Sequence, residues 1–357
     1  MLPAADLTVS PGLDDSTETG QRAYYGWRAW QNAWEDAMDQ KATELAARGD
    51  SRSLLMAVAL ARIPPFDTTP RTWDRLGGWL DAARTAAPDD ALVDWMALLL
   101  CDHEVRDACS IDSAGRTLKR RNPDNAAVSL ALLRWEDDDQ ASRALLHEAA
   151  MAQGFESPVG ELAILIKEAI AQVEPPRMTP QLRTMMETNF WPISDEVLRY
   201  NQSMQILASY TWRLPAAAYA MCGLATEETP EERRDDCRRI MVMLADDDTS
   251  LLLTLFGTMG AVRLPAGEDD GAAWRERLRT RFWLMEQAAW EKYAGVGLPD
   301  DIAIIIEREP AVLRERQRSQ GISVSPPDGW LPEDPRRREL VTTGHAEAAA
   351  WMRESPP

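Results

Sequence analysis

Lysine is nearly absent: of 39 basic residues only Lys41, Lys119, Lys167 and Lys292 are lysines, the usage of a GC-rich bacterial genome. Positive charge as a whole is outnumbered by negative. The 58 Asp and Glu residues leave a formal charge of -19 at pH 7, which argues against nucleic acid or an anionic membrane as the main partner, because both reward Lys and Arg. A basic protein stays an allowed partner, since opposite charge steers association. Long apolar runs are missing too. Nothing approaches the roughly 20 residues of a membrane span, so no membrane insertion is expected. The opening stretch MLPAADLTVSPGLDDSTETG has neither a basic n-region nor an apolar h-region, so no export signal is visible in it. Either the protein is cytoplasmic or the chain starts after a removed signal.

Signatures of catalysis are absent in the same way. There is no Gly-rich phosphate loop, no G-x-S-x-G elbow and no H-E-x-x-H, and histidine occurs three times in all. Adjacent Glu and Asp pairs abound, but in so acidic a chain they do not by themselves mark general acid and base. No cofactor is implied, and the expectation is a protein that is not an enzyme.

What is present is apolar mass with helical periodicity. Of the 357 residues 45% are apolar and 14 are Trp, enough for one large or two ordinary domains with a sizeable core. Alternation with period 2 is almost lacking, whereas period 3.6 recurs throughout, so the chain reads as all-α. After a Pro/Gly/Ser/Asp-rich leader over 1–20, the first helix is expected over 21–48. Later starts carry caps at Thr69-Pro70, Ser157-Pro158, Thr179-Pro180 and Thr229-Pro230, where a hydroxyl accepts from first-turn amides and Pro sits where its missing N–H does no harm. At the last of them Glu232 is placed to close a capping box with Thr229. Short Pro- and Gly-containing loops predict antiparallel neighbours. A Pro-rich connector in 323–357 leads to one more helix near 336–352, with Leu340, Ala348 and Trp351 to dock it.

Pro88, Pro123, Pro158 and Pro192 recur at 35, 35 and 34 residues, each ahead of a helical pattern. That is the length of a helix-turn-helix unit in a solenoid. The stretch RRNPDNAAVSLALLRWEDDDQASRALLHEAAMA, residues 120–152, resembles one tetratricopeptide repeat. Asn122 to Ala126 form its turn, and Leu132 and Ala152 take packing positions, while Ser129 and Leu133 depart from the Trp and Gly that the family prefers. The resemblance implies an antiparallel array, tetratricopeptide-like over 21–211 and continued by helix pairs over 212–322. It also implies a protein-binding scaffold, and no catalytic residue.

Four cysteines fall into two local pairs, Cys101 with Cys109 and Cys222 with Cys237. Cys101, His103 and Cys109 offer three metal ligands, but the paired Cys-x2-Cys spacing of a zinc site is missing and His147 and His345 stand alone. Free buried thiols are the plain alternative. Two pairs that each span one connection between helices are better explained as staples, which persist in periplasmic or secreted proteins. The reduced alternative is a cytoplasmic protein.

Tyr24, Trp27, Trp30 and Trp34 form an aromatic stripe that either grips a partner or, as the favoured reading has it, buries the first helix against the next. Trp274, Trp283 and Trp290, on a helix expected over 268–293, read the same way. Asp137 to Asp139 and Asp246 to Asp248 lack the pattern of a calcium loop and read as solvated helix N-termini. In EERRDDCRR, Asp235 is spaced to pair with Arg238 and Arg239.

The function these features point to is a bacterial scaffold or adaptor. It would bind a protein or peptide on the concave face of the array, through aromatic and acidic side chains. An acidic immunity or inhibitor protein that covers a basic toxin or enzyme is the second reading, and an enzyme with a site between helices the third.

Overall fold

The structure, a computed structural model, describes residues 18–61, 70–101, 106–189, 193–211, 213–224, 229–247, 249–287 and 309–344. The described residues hold no strand, only one isolated bridge between Asn125 and Gly154, so the fold is all-α. Its helices are α1 Glu18–Ala46, α2 Ser51–Leu60, α3 Pro70–Ala86, α4 Ala91–Leu100, α5 Ile111–Arg121, α6 Ala126–Leu133, α7 Asp139–Met151 and α8 Val159–Ala171. They continue as α9 Pro180–Asn189, α10 Asp195–Thr211, α11 Arg213–Met221, α12 Arg234–Asp246, α13 Leu251–Arg263, α14 Glu268–Gln287, α15 Glu309–Ser319 and α16 Pro335–Thr343.

Local chemistry explains where helices start. Gly49 takes a left-handed φ of 76° after α1, and Asp50 then caps α2 by accepting from the Ser53 amide at 2.9 Å. Asp90 caps α4 and Asn125 caps α6 in the same way, accepting from Leu92 and Ala127. The Thr179 hydroxyl accepts from Leu182 ahead of α9, and Ser157 from Val159 ahead of α8, while Thr69 lies outside the described residues. Thr229 behaves differently from the expected capping box. Its hydroxyl donates to the Cys222 carbonyl at 2.7 Å, and a 3-10 turn at Glu231–Arg233 precedes α12. Ser110 does not cap α5 with its side chain either; it sits at a left-handed φ of 53°.

Three helices, α2, α4 and α6, are buried nearly all round, which marks them as the centre of the core. Each packs against neighbours in the chain and against a later helix. Helices α1 and α3 contact α2, α3 and α5 contact α4, and α5 and α7 contact α6. In addition α8 packs on α2, α10 on α4 and α11 on α6. The later helices extend this body: α12 packs on α7, α13 on α12 and α11, and α14 on α13, with α15 and α16 against α14. One contiguous set of buried side chains runs from Trp34 to Val341.

The protein is helical, but it does not show a tetratricopeptide-type repeat. Lengths vary from the 8 residues of α6 to the 29 of α1. Contact between α2 and α8 spans about a hundred residues of chain, which a stack of neighbours does not make. Helices α8, α10 and α11 lie against α2, α4 and α6. Within 120–152, Leu132 packs where a Cβ on Gly115 would stand, and Asn125 ties the turn to the next by exchanging two bonds with the Glu156 backbone.

Candidate functional site

Cys101 ends α4 and is bonded to Cys109, and Cys222, just after α11, is bonded to Cys237 in α12. All four are at most 1% exposed. Each sulfur is therefore committed to its partner, and neither pair offers thiolates to a metal. His103 lies outside the described residues, as does His345. His147 is exposed and stands 2.9 Å from Asp236 across the α7–α12 contact.

Around the first staple the backbone is a junction of caps. The final carbonyls of α4 have no partners within their own helix. The Trp135 indole donates to Leu98 at 3.1 Å, and one Arg213 guanidinium nitrogen donates to Leu99 and Leu100 at 2.8 and 2.9 Å. Arg106 links the loop to both neighbours, donating to the Trp135 carbonyl and to Asp112, each at 2.6 Å. Gly77 on α3 lets the Ala108 backbone come close, because a Cβ there would run into the Ala108 carbonyl. The segment is thus a structural seam between α3, α4 and α6.

The aromatic stripe divides along α1. Trp27 and Trp34 are buried at 6% and 2% exposure, followed inward by Met38, Ala42 and Leu45. Trp30 is half-buried and donates to the Pro176 carbonyl at 2.9 Å, tying α1 to the connector between α8 and α9. Its ring meets Trp34 edge-on at 5.0 Å. Tyr24 is half-buried beside Trp27, whereas Tyr25 is 69% exposed and meets Tyr24 edge-on at 5.7 Å. Helical spacing alone passes over Tyr25, because it lies off the i, i+3, i+7 stripe, and that offset is the signal that points it outward.

The second tryptophan set is interior. Trp274 is buried and donates to Asp270 at 3.2 Å, and Trp283 donates to the Ser323 carbonyl at 2.8 Å beneath Trp330. Trp290 lies outside the described residues.

Among the acidic runs, Asp138 caps α7 by accepting from Ala141 at 2.8 Å, and Asp139 engages Arg143 and Arg233. Asp246 is the last residue of α12, at the end where the dipole disfavours a carboxylate, and Arg277 neutralises it at 2.7 Å. Asp247 turns to the Thr249 hydroxyl, and Asp248 lies outside the described residues. In EERRDDCRR the pairing runs between helices and not along one face: Arg238 meets Asp270 on α14 at 3.2 Å, and Arg239 reaches the Met151 sulfur. Among the described residues no group of three or more His, Cys, Asp or Glu is placed to hold a metal ion, and no helix is long and apolar enough to cross a membrane.

Asp94 and Tyr219 are ionisable groups within the helix packing. Asp94 on α4 is 4% exposed and pairs with Arg84 at 3.1 Å; burial pushes its carboxyl above the ordinary value against the pull of that arginine. The Tyr219 hydroxyl donates to the Phe256 carbonyl at 2.8 Å, and burial raises it well above the usual phenol range. Each has a structural partner. Comparison of the chain with known protein families, with curated proteins and with solved structures gives no match.

Proposed function

We propose that this chain is a non-catalytic protein-binding scaffold or adaptor. It is built on antiparallel helix pairs, in the manner of a helical-repeat array, and works in an oxidising compartment, periplasmic or extracellular. The observation that carries the reading is the partition of α1. Its Trp side chains hold the helix to the body, while Tyr25, 69% exposed beside the half-buried Tyr24, offers an aromatic anchor backed by Trp27. Such anchors dominate binding energy when a partner seals them from water. The two buried disulfides favour the compartment, and the charge of -19 favours a basic protein or peptide.

Net charge also favours a second reading, an immunity or inhibitor protein that covers a basic toxin or enzyme. Capture from extracts of the native organism, using wild type and Tyr25→Ala at low and high salt, separates the two. A scaffold retains a specific partner that Tyr25→Ala loses at low and at high salt alike. An inhibitor retains one basic partner that high salt releases. Absence of any specifically retained protein overturns both.

A further inference from the structure

We propose that Met151 is an oxidation site, at which hydrogen peroxide converts the thioether to a sulfoxide whose oxygen Arg239 then holds, tightening the contact between α7 and α12. Those two helices pack together, and three polar rungs cross between them. Arg233, just before α12, meets Asp139, the first residue of α7, at 3.0 Å. His147 meets Asp236 at 2.9 Å. Arg239 donates from Nη1 to the Met151 sulfur at 3.0 Å. The first two rungs end on carboxylates, whereas the third ends on a thioether, a weak acceptor. Arg239 makes no other hydrogen bond and no ion pair among the described residues, so no carboxylate answers its charge.

Reactivity singles out the same residue. Met151 ends α7 and is 56% exposed, the one exposed methionine among the described residues. Met38, Met96 and Met241 are 0% exposed, and the other described methionines are buried or half-buried. All four cysteines are in disulfides, so no thiol competes for the oxidant. A sulfur lone pair of Met151 attacks one oxygen of hydrogen peroxide. The S–O bond forms as the O–O bond breaks, and the proton of the transferred oxygen passes to the departing hydroxide, which leaves as water. Sulfur gives up two electrons and the peroxide takes them. In a core methionine the new oxygen would lie among apolar side chains and loosen their packing. At Met151 it emerges beside a guanidinium. The oxygen carries the negative end of the S–O dipole, so Arg239 now donates to an oxygen acceptor in a charge-assisted bond. The site involves neither Tyr25 nor the scaffold role proposed for that surface.

The test treats the intact, disulfide-bonded protein briefly with dilute hydrogen peroxide. Peptide mapping by mass places the first added oxygen on Met151, ahead of every other methionine of the described residues. Met1 and Met352 lie outside them and are read on their own peptides. Thermal unfolding of the treated protein shows a Tm about 1–2 °C above that of untreated protein, the size of one net hydrogen bond. Met151→Leu, a change at an exposed position, shows no such rise under the same treatment, which sets aside oxidation elsewhere as its source. Arg239→Ala is still oxidised at Met151 but loses the rise. First oxidation at another described methionine overturns the proposal. So does a Tm that falls or stays the same once Met151 is oxidised, and so does a rise that survives Arg239→Ala.

Discussion

The Trp135 indole donates to the Leu98 carbonyl at 3.1 Å, closing the end of α4 just before the Cys101 staple. Leu98 O is buried at a helix end, so its second contact, Arg134 Nη1 at 3.5 Å, is a weak replacement. Trp135→Phe keeps an aromatic in the core and removes the donor, at a cost of about 1–3 kcal/mol in urea unfolding. Trp30→Phe, whose acceptor Pro176 is half-buried and open to water, costs less. Equal costs for the two would remove Leu98 capping as the reason.

Each disulfide restricts the unfolded chain. With separations of 8 and 15 residues, loop-closure entropy assigns about 2.5 and 3 kcal/mol to the Cys101–Cys109 and Cys222–Cys237 bridges. Cys101→Ser with Cys109→Ser, and the matching pair at 222 and 237, should each lower the urea midpoint accordingly. Protein taken from its native compartment, acid-quenched without reductant, should show no alkylated cysteine in an intact mass. Four alkylated cysteines would sink the staples and the compartment together.

Adjacent glycines on α3 should respond with opposite signs. At Gly77 an added Cβ meets the Ala108 backbone in the stapled loop, so Gly77→Ala is overpacked and loses about 1–3 kcal/mol. At Gly78 nothing lies within 4 Å, so Gly78→Ala gains about 1 kcal/mol from helix propensity. Thermal or urea unfolding of the two variants checks the sign, and a gain at both positions would mean that α3 does not touch the loop.

Asp94 and Asp270 should impose opposite pH dependence. Burial raises the folded-state value of Asp94 above 3.8, so its stabilising proton is in place below 3.8 and is lost as pH rises through the raised value. The Ala266 amide, with Arg238 and Trp274, lowers Asp270 below 3.8. Its contribution is present above 3.8 and is lost as pH falls through the lowered value. Urea midpoints across the acid range, each against its Asn variant, should show wild type gaining on Asp94→Asn as pH falls toward 3.8. Below that value wild type should lose ground to Asp270→Asn. Slopes of the same sign would contradict the assignment.

Much of the local structure was legible in the chain. The cysteine pairs read correctly because each spans a single connection, where the sequence separation already bounds the distance. The inward set of α1 followed from the spacing of Trp27, Trp34 and Met38. Other features were not legible, each for a physical reason. Asp235 was spaced to meet Arg238 along one helix, but Asp270 arrives from α14 and takes that arginine. Thr229 has the sequence of a cap, yet its hydroxyl donates to the carbonyl of Cys222, just after α11.

Period 3.6, the excess of Asp and Glu over Lys and Arg, and the two local cysteine pairs determined by themselves that this is an acidic, helical, stapled protein. These properties depend on residues a few positions apart, where the chain's own geometry sets the contact. Only the tertiary structure decided that α8, α10 and α11 lie against α2, α4 and α6. It alone decided that Tyr25 stays outside. Which apolar face covers which, and which charges are left over, depends on elements tens to a hundred residues apart, and no period in the sequence encodes that pairing.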